Sequence, residues 1–232
     1  MTDYLLFIDT ETSGLPKDWG KPYAAQENWP FCVQIAWIIY TKDGKEIKQE
    51  NHFINENDFK ISSSAISIHG ITRPFLKMYG KSRKEVMKML SADVIKYDPL
   101  IIGHFMEFDY RMTGADFFRS AIENPIKKEM TFCTMLATTY MVKNPALKFF
   151  RLAELYESLF HIKLHNQHNA LADANATAES FFELIKRGEV TDKTIACQQK
   201  QAVATALKEK QRGCIFPLLL IVLLTFFILY TL

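Results

Sequence analysis

Asp9 and Glu11 are the first residues of this chain that could do chemistry together. They close the apolar run Leu5-Leu6-Phe7-Ile8 within FIDTETSG. Side chains alternate across a strand, so both carboxylates face one side, about 7 Å apart at the backbone. Like charges that close repel. A hard divalent cation relieves the repulsion, because Mg²⁺ takes oxygen ligands and keeps positions open for water and a substrate phosphate. The D-x-E pattern alone carries little weight: average composition yields about one chance match in a chain this long. A solvated strand end reads the same way.

Two more stretches bear on the question. Asp109 follows the short apolar run Leu100-Ile101-Ile102-Gly103-His104 in IIGHFMEFDYRM. Ligand sites in open α/β sheets gather at strand carboxyl ends, so Asp109 could reach the same place. An acid in the first turn of a helix, favoured by the dipole, is the plainer alternative. The third stretch is HNALADANATAESFF, with His168 and Asp173. Five residues turn about 140° around an α-helix, so the two side chains diverge if both are helical. They converge only if His168 sits on the loop before the helix, an arrangement that Asn169 suits as N-cap. His104 and Asp109 share the spacing, which by itself is therefore ambiguous. The small residues Ala170, Ala172, Ala174 and Ala176 permit close helix packing beside a site.

The elements that must position these residues follow from pattern. Strands are expected at 4–10, 31–41 and 46–54, the second rich in Val, Ile, Trp and Tyr. Asp43-Gly44 lies between the last two and signals a hairpin, so the three form an antiparallel meander. Residues 16–30, with Pro16, Pro22 and Pro30, read as a loop. A short helix is expected from Ser62 to His69, stopped by Gly70, and a longer one over 82–97, with Val86, Met89, Leu90 and Val94 at helical spacing. A buried strand follows at 100–104, a helix over 107–122 and a strand near 130–133. Further helices are expected at about 134–141, 151–160 and 169–187. Strands first in a meander and then alternating with helices make a mixed α/β sheet.

Bulk properties bound the class. The chain has 232 residues, 48% hydrophobic and 23% charged, enough for a substantial core. Net charge is +2, which the stretch Lys208-Glu209-Lys210-Gln211-Arg212 alone accounts for. A protein coating long nucleic acid is usually more basic, whereas one gripping a strand end need not be. Cys32, Cys133, Cys197 and Cys214 are scattered without a C-x-x-C pair, so neither a zinc site nor a disulfide framework is indicated. The N-terminus lacks the basic stretch, apolar core and cleavage site of a signal peptide, so the domain is expected in a reducing cytoplasm.

FIDTETSGLP, then GHFMEFD, then HNALADA, in that order, resemble the DEDDh (DnaQ-like) 3′–5′ exonucleases of the ribonuclease H-like superfamily; SIHGIT at 67–72 resembles an intervening segment. The resemblance spans about residues 4–187. It implies a ribonuclease H-like mixed five-stranded sheet flanked by helices, and two Mg²⁺ or Mn²⁺ ions. By position, it makes Asp9, Glu11, Asp109 and Asp173 the metal ligands and His168 the general base. Thr12, Leu15, His69 and Phe108 become candidates to hold the terminal nucleotide of single-stranded DNA or RNA; as plain alternatives, Leu15 and Phe108 could be core and His69 a helix cap. The family usually has Asn where this chain has Phe105. Its members are often dimers, and no sequence feature decides whether this chain forms a homodimer.

The C-terminus differs from the rest. Ile215 to Leu232 is 18 residues without a charge. An α-helix of that length covers about 27 Å, near the hydrocarbon thickness of a bilayer. The run is apolar on every face, and Lys208, Lys210 and Arg212 precede it, which favours the catalytic domain on the cytoplasmic side. The expected organisation is an exonuclease domain at 1–187, a juxtamembrane linker at 188–213, helical in pattern, and a single-pass tail anchor at 214–232. Two rival readings are a haloacid dehalogenase-type phosphatase, whose D-x-D-x-T the first strand nearly matches, and a membrane-tethered nucleic-acid-binding module without catalysis. The first needs a later lysine and an acidic pair after a strand. The second predicts a lost acid or histidine, and all five are present.

Overall fold

The computed structural model describes residues 2–25 and 27–205; the expected anchor at 214–232 and the end of the linker lie outside the described residues. Among the described residues, no helix is long and apolar enough to cross a membrane.

A five-stranded sheet organises the chain, in the order β3 (Glu46–Phe53), β2 (Cys32–Thr41), β1 (Tyr4–Thr12), β4 (Leu100–Gly103) and β5 (Thr131–Cys133). The first three strands pair antiparallel, as the Asp-Gly turn predicts, and β1–β4 and β4–β5 are parallel. The central position of β1 explains its unbroken apolar run. Leu6 and Ile8 enter one core cluster with Val86, Leu90 and Met112, while Leu5 and Phe7 enter another with Leu155, Phe181 and Leu184. A strand covered on both faces needs apolar residues at every position.

Helices α1 (Ser63–His69), α3 (Arg83–Tyr97), α4 (Met106–Arg119), α5 (Thr134–Ala137), α6 (Leu152–Phe160) and α7 (Ala170–Lys186) fall close to the expected places. The stretch expected as one helix at 134–141 breaks after α5 and resumes as a 3₁₀ turn, Thr139–Met141. Helix α2 (Arg73–Tyr79) is absent from the sequence reading. It is short, capped by Thr72 accepting from the Phe75 N–H, and buries only Leu76, too little apolar surface to leave a helical period. Residues 192–205 are helical, in line with the expected connecting helix. Val190 and Ile195 are buried in the second cluster, so the packed body extends past residue 187. Gln198 accepts from the Cys133 N–H (3.0 Å) and donates to the Cys133 carbonyl (3.1 Å), pairing with backbone on the edge strand β5.

Helix α4 is tied to β2 by Asp116, which is fully buried, accepts from the Cys32 N–H and pairs with Arg119 at 2.7 Å. Arg119 also donates to the carbonyls of Trp29 and Pro30. The 13–31 loop is thereby strapped onto α4. Tyr23 lies so close to Gly114 that a Cβ there would meet its hydroxyl at 2.3 Å.

Candidate active site

The sheet twist and the two parallel crossovers bring three chain segments to the carboxyl ends of β1 and β4. Asp9 and Glu11 lie on the α7 side of β1, continuing the Leu5, Phe7 row. The β1–β2 register shifts between Glu11 and Thr12, and such bulges re-aim side chains beside sites. Asp109 sits in the first turn of α4 and Asp173 in the first turn of α7. Glu11, Asp109 and Asp173 are 9%, 2% and 8% exposed, so three acids are buried together; Asp9 is half-buried beside them.

Electrostatics record that proximity. Burial, then the charges of Asp109, Asp173 and Glu11, raise the Asp9 pKa well above the carboxylate range. Burial, then Asp173 and Asp109, push Glu11 up to about 8. Burial raises Asp109 to about 7 against the opposing hydrogen bonds from Thr10. Burial raises Asp173 to about 6, opposed by its bond with the His168 backbone. Burial of all four acids, with repulsion from neighbouring acids added at Asp9, Glu11 and Asp109, makes a site that prefers protons or cations. The donor set is oxygen-rich, which fits a hard divalent ion.

His168 stands on the exposed loop before α7, as its convergence with Asp173 requires. Its backbone is left-handed (φ 63°), and its N–H donates to Asp173 Oδ2 at 2.9 Å. A ring nitrogen of His168 and a carboxylate oxygen each of Glu11 and Asp173 lie within 4.8 Å of one another. Asn169 caps α7 by accepting from the Ala172 N–H.

The other expected residues are placed differently from one another. Thr12 is buried and its hydroxyl donates to the Gly14 carbonyl. Leu15 is 78% exposed, which excludes the plain core alternative. His69 Nε2 donates to the Thr12 carbonyl (3.2 Å), and its Nδ1 accepts from the Ile71 N–H (2.9 Å). Both ring nitrogens are thus engaged in joining α1 to the end of β1. Phe108 is half-buried and packs with Trp19 and Phe105. Phe105 is the residue before α4 and lies in the left-handed region (φ 68°) with no side-chain cap. Asn tolerates that conformation; for a bulky residue it costs on the order of 1 kcal/mol.

Three residues of the site escaped sequence reasoning. The Thr10 hydroxyl donates to Asp109 Oδ1 at 2.8 Å. A Cβ at Gly103 would stand 3.2 Å from Asp109 Oδ2, so glycine lets that carboxylate approach. Gln34, opposite Glu11 in register and fully buried, accepts from the Ala170 N–H at the start of α7 and donates to Asn51. Only a polar residue inside an otherwise apolar strand hinted at Gln34.

Fold and site together define a mixed-sheet α/β protein with a carboxylate and histidine centre at its strand ends. Residues 6–181 match the sequence profile of the exonuclease family (RNase_T), and the chain belongs to that family. No curated protein sequence matches it significantly. Several solved structures share the fold. The zinc-bound complex of E. coli exonuclease I with single-stranded DNA superposes with a TM-score of 0.66 at 20% identity, over 81% of this chain and 41% of that one. The complexes of E. coli exonuclease I with dT13 and dA16 oligonucleotides give 0.63 and 0.65 at 20% and 21% identity, covering 80% of this chain in each case. Those two matches cover 42% and 41% of the exonuclease I chains, so this chain spans about two fifths of the proteins it resembles.

Proposed function

We propose that this chain is a metal-dependent 3′–5′ exonuclease that releases 5′-mononucleotides from single-stranded DNA or RNA ends. The observation that carries the reading is the clustering of four acids from three chain segments: Glu11 and Asp173 lie within 4.8 Å of a His168 ring nitrogen, and Asp9 feels the charges of Asp109, Asp173 and Glu11. Family membership and the oligonucleotide complexes of the similar exonuclease I support it. It also weighs against the phosphatase alternative.

The four carboxylates would hold two Mg²⁺ or Mn²⁺ ions. When bound, these supply an activated water and charge neutralisation at the phosphate and the leaving 3′ oxygen. The chain's own residues do the rest. Thr10 and Gly103 fix the Asp109 carboxylate. Gln34 and Asn169 fix the start of α7 and with it Asp173. His168, exposed at the mouth, takes the proton from the attacking water and returns it to solvent. Its loop position lets the imidazole exchange that proton without opening the core. The uncharged run 215–232 anchors this domain at the cytoplasmic face of a membrane.

A 5′-labelled oligonucleotide ladder, DNA beside RNA, with Mg²⁺ or with EDTA, tests the reading. Shortening from the 3′ end, dependent on metal and abolished in Asp9→Ala, is expected. Binding without nucleotide release would favour the non-catalytic module, and a ladder that survives Asp9→Ala would overturn the site. Deleting 215–232 moves the protein from the membrane pellet to the supernatant; retention in the pellet would sink the anchor.

A further inference from the structure

Beside the carboxylates lies an aromatic group that the chemistry above leaves unused. Trp19 is 40% exposed and Phe105 is 41% exposed. Their ring centroids are 5.9 Å apart, and both rings reach Phe108, one residue before Asp109, at 6.3 and 6.2 Å. Trp19 projects from a surface loop, and Phe105 holds a left-handed backbone better suited to Asn.

The loop that carries Trp19 is built to hold it still. Asn28 accepts from the Asp18 N–H at 2.9 Å and donates to the Asp18 carbonyl at 2.8 Å. The Gly20 N–H donates to Asp18 Oδ1, which closes the turn around Trp19. Trp29 meets the indole edge-on, and Arg119 fixes the Trp29 carbonyl to α4. Lys17 and Lys21, two residues to either side, are exposed. On its other side Phe105 lines a cavity of about 450 Å³ with Met106, Leu136, Phe149, Glu107 and Lys128, which does not reach the site carboxylates.

We propose that Trp19 and Phe105 form a stacking platform for the bases of a single strand upstream of the bond to be cut, with Lys17 and Lys21 facing its phosphates. The proposal rests on the exonuclease reading for its substrate. Rigid exposed rings flanked by bases are the means by which proteins hold single strands without regard to sequence. Occupancy by nucleic acid follows from the contact of both rings with Phe108, the residue before Asp109, and from the two exposed lysines, of which Lys17 also lies 4.0 Å from Glu27.

The test measures binding and turnover separately, on the full chain in detergent. Anisotropy of a dye-labelled (dT)12 with Ca²⁺ reports binding without relying on cleavage. Trp19→Ala and Phe105→Ala are expected to weaken it about tenfold each. In steady-state kinetics with Mg²⁺ the same substitutions raise KM for (dT)12 with kcat within twofold. Trp19→Phe, which keeps a ring, restores most of the binding. Phe105→Asn, which keeps the left-handed turn, leaves Tm unchanged or higher and still binds weakly. Unchanged binding in the alanine variants overturns the platform and leaves the nuclease reading intact. Failure of Trp19→Phe to rescue, or a loss of kcat in step with KM, assigns the rings a packing role and also overturns it. No binding of (dT)12 by the native chain overturns it outright; a wild-type chain that binds but makes no ladder sinks the nuclease reading alone.

Discussion

At the residue scale, each acid of the cluster acts against the stability of the fold unless something neutralises it. The folded pKa values of Glu11, Asp109 and Asp173, about 8, 7 and 6, lie above those of an unfolded chain. The folded state therefore binds more protons than the unfolded one between about pH 4 and pH 8, and stability falls as pH rises through that window. In EDTA, Tm is expected to drop from pH 4.5 to pH 8. Added Mg²⁺ flattens that slope, and Asp9→Asn lessens both the slope and the Mg²⁺ effect. A Tm indifferent to pH and to Mg²⁺ would contradict the cluster. Gly103→Ala is a sharper probe, because its Cβ would press on Asp109 Oδ2 and on Met106 Sδ at 3.0 Å. Activity is expected to fall at least tenfold while stability falls by about 1–3 kcal/mol, the usual range for overpacking; wild-type turnover would refute the role given to this glycine. In the sequence, Asp9, Glu11, Asp109, His168 and Asp173 were legible together because their order and surroundings recur in a family. Gly103 was not, since nothing local marks a close approach made from six residues away.

At the element scale, the register of the central strands places what the motifs only name. Gln34 reaches the first N–H of α7 only because β2 runs beside β1 with Gln34 opposite Glu11. Gln34→Leu leaves that N–H and the Asn51 amide without their partner. It is expected to cost about 1–3 kcal/mol of stability and to lower kcat several-fold with KM little changed, because Asp173 and His168 both ride on the start of α7. Equal kcat in the variant would show that Asn169 suffices as a cap. The meander and the long helices were readable from Asp43-Gly44 and from apolar spacing, whereas α2 was not, with one buried residue in two turns. Cross-strand partners such as Gln34 and Asn51 leave no period along the chain, so no window of sequence discloses them.

At the scale of the whole molecule, the packed body ends later than composition suggests. Residues 188–213 read as a juxtamembrane linker, yet Val190 and Ile195 are buried and Gln198 clasps the backbone of β5. A chain ending at 187 uncovers the apolar residues beneath that helix and frees an edge strand, which invites association between chains. It is expected to aggregate or to melt several degrees below a chain ending at 205, as measured by light scattering and calorimetry. Equal behaviour of the two would make the helix dispensable.

The position of β1 has a consequence for the order of events during synthesis. The first strand made becomes the middle of the sheet, and its antiparallel partner β2 and the strand beyond it, β3, follow at once, so the antiparallel half of the sheet can form from local contacts. The parallel partner β4 waits for three helices, and long-range pairing of this kind is slow. The last acid and the histidine arrive only with α7 and the loop before it, so an incomplete chain, however well its sheet has formed, lacks the completed cluster.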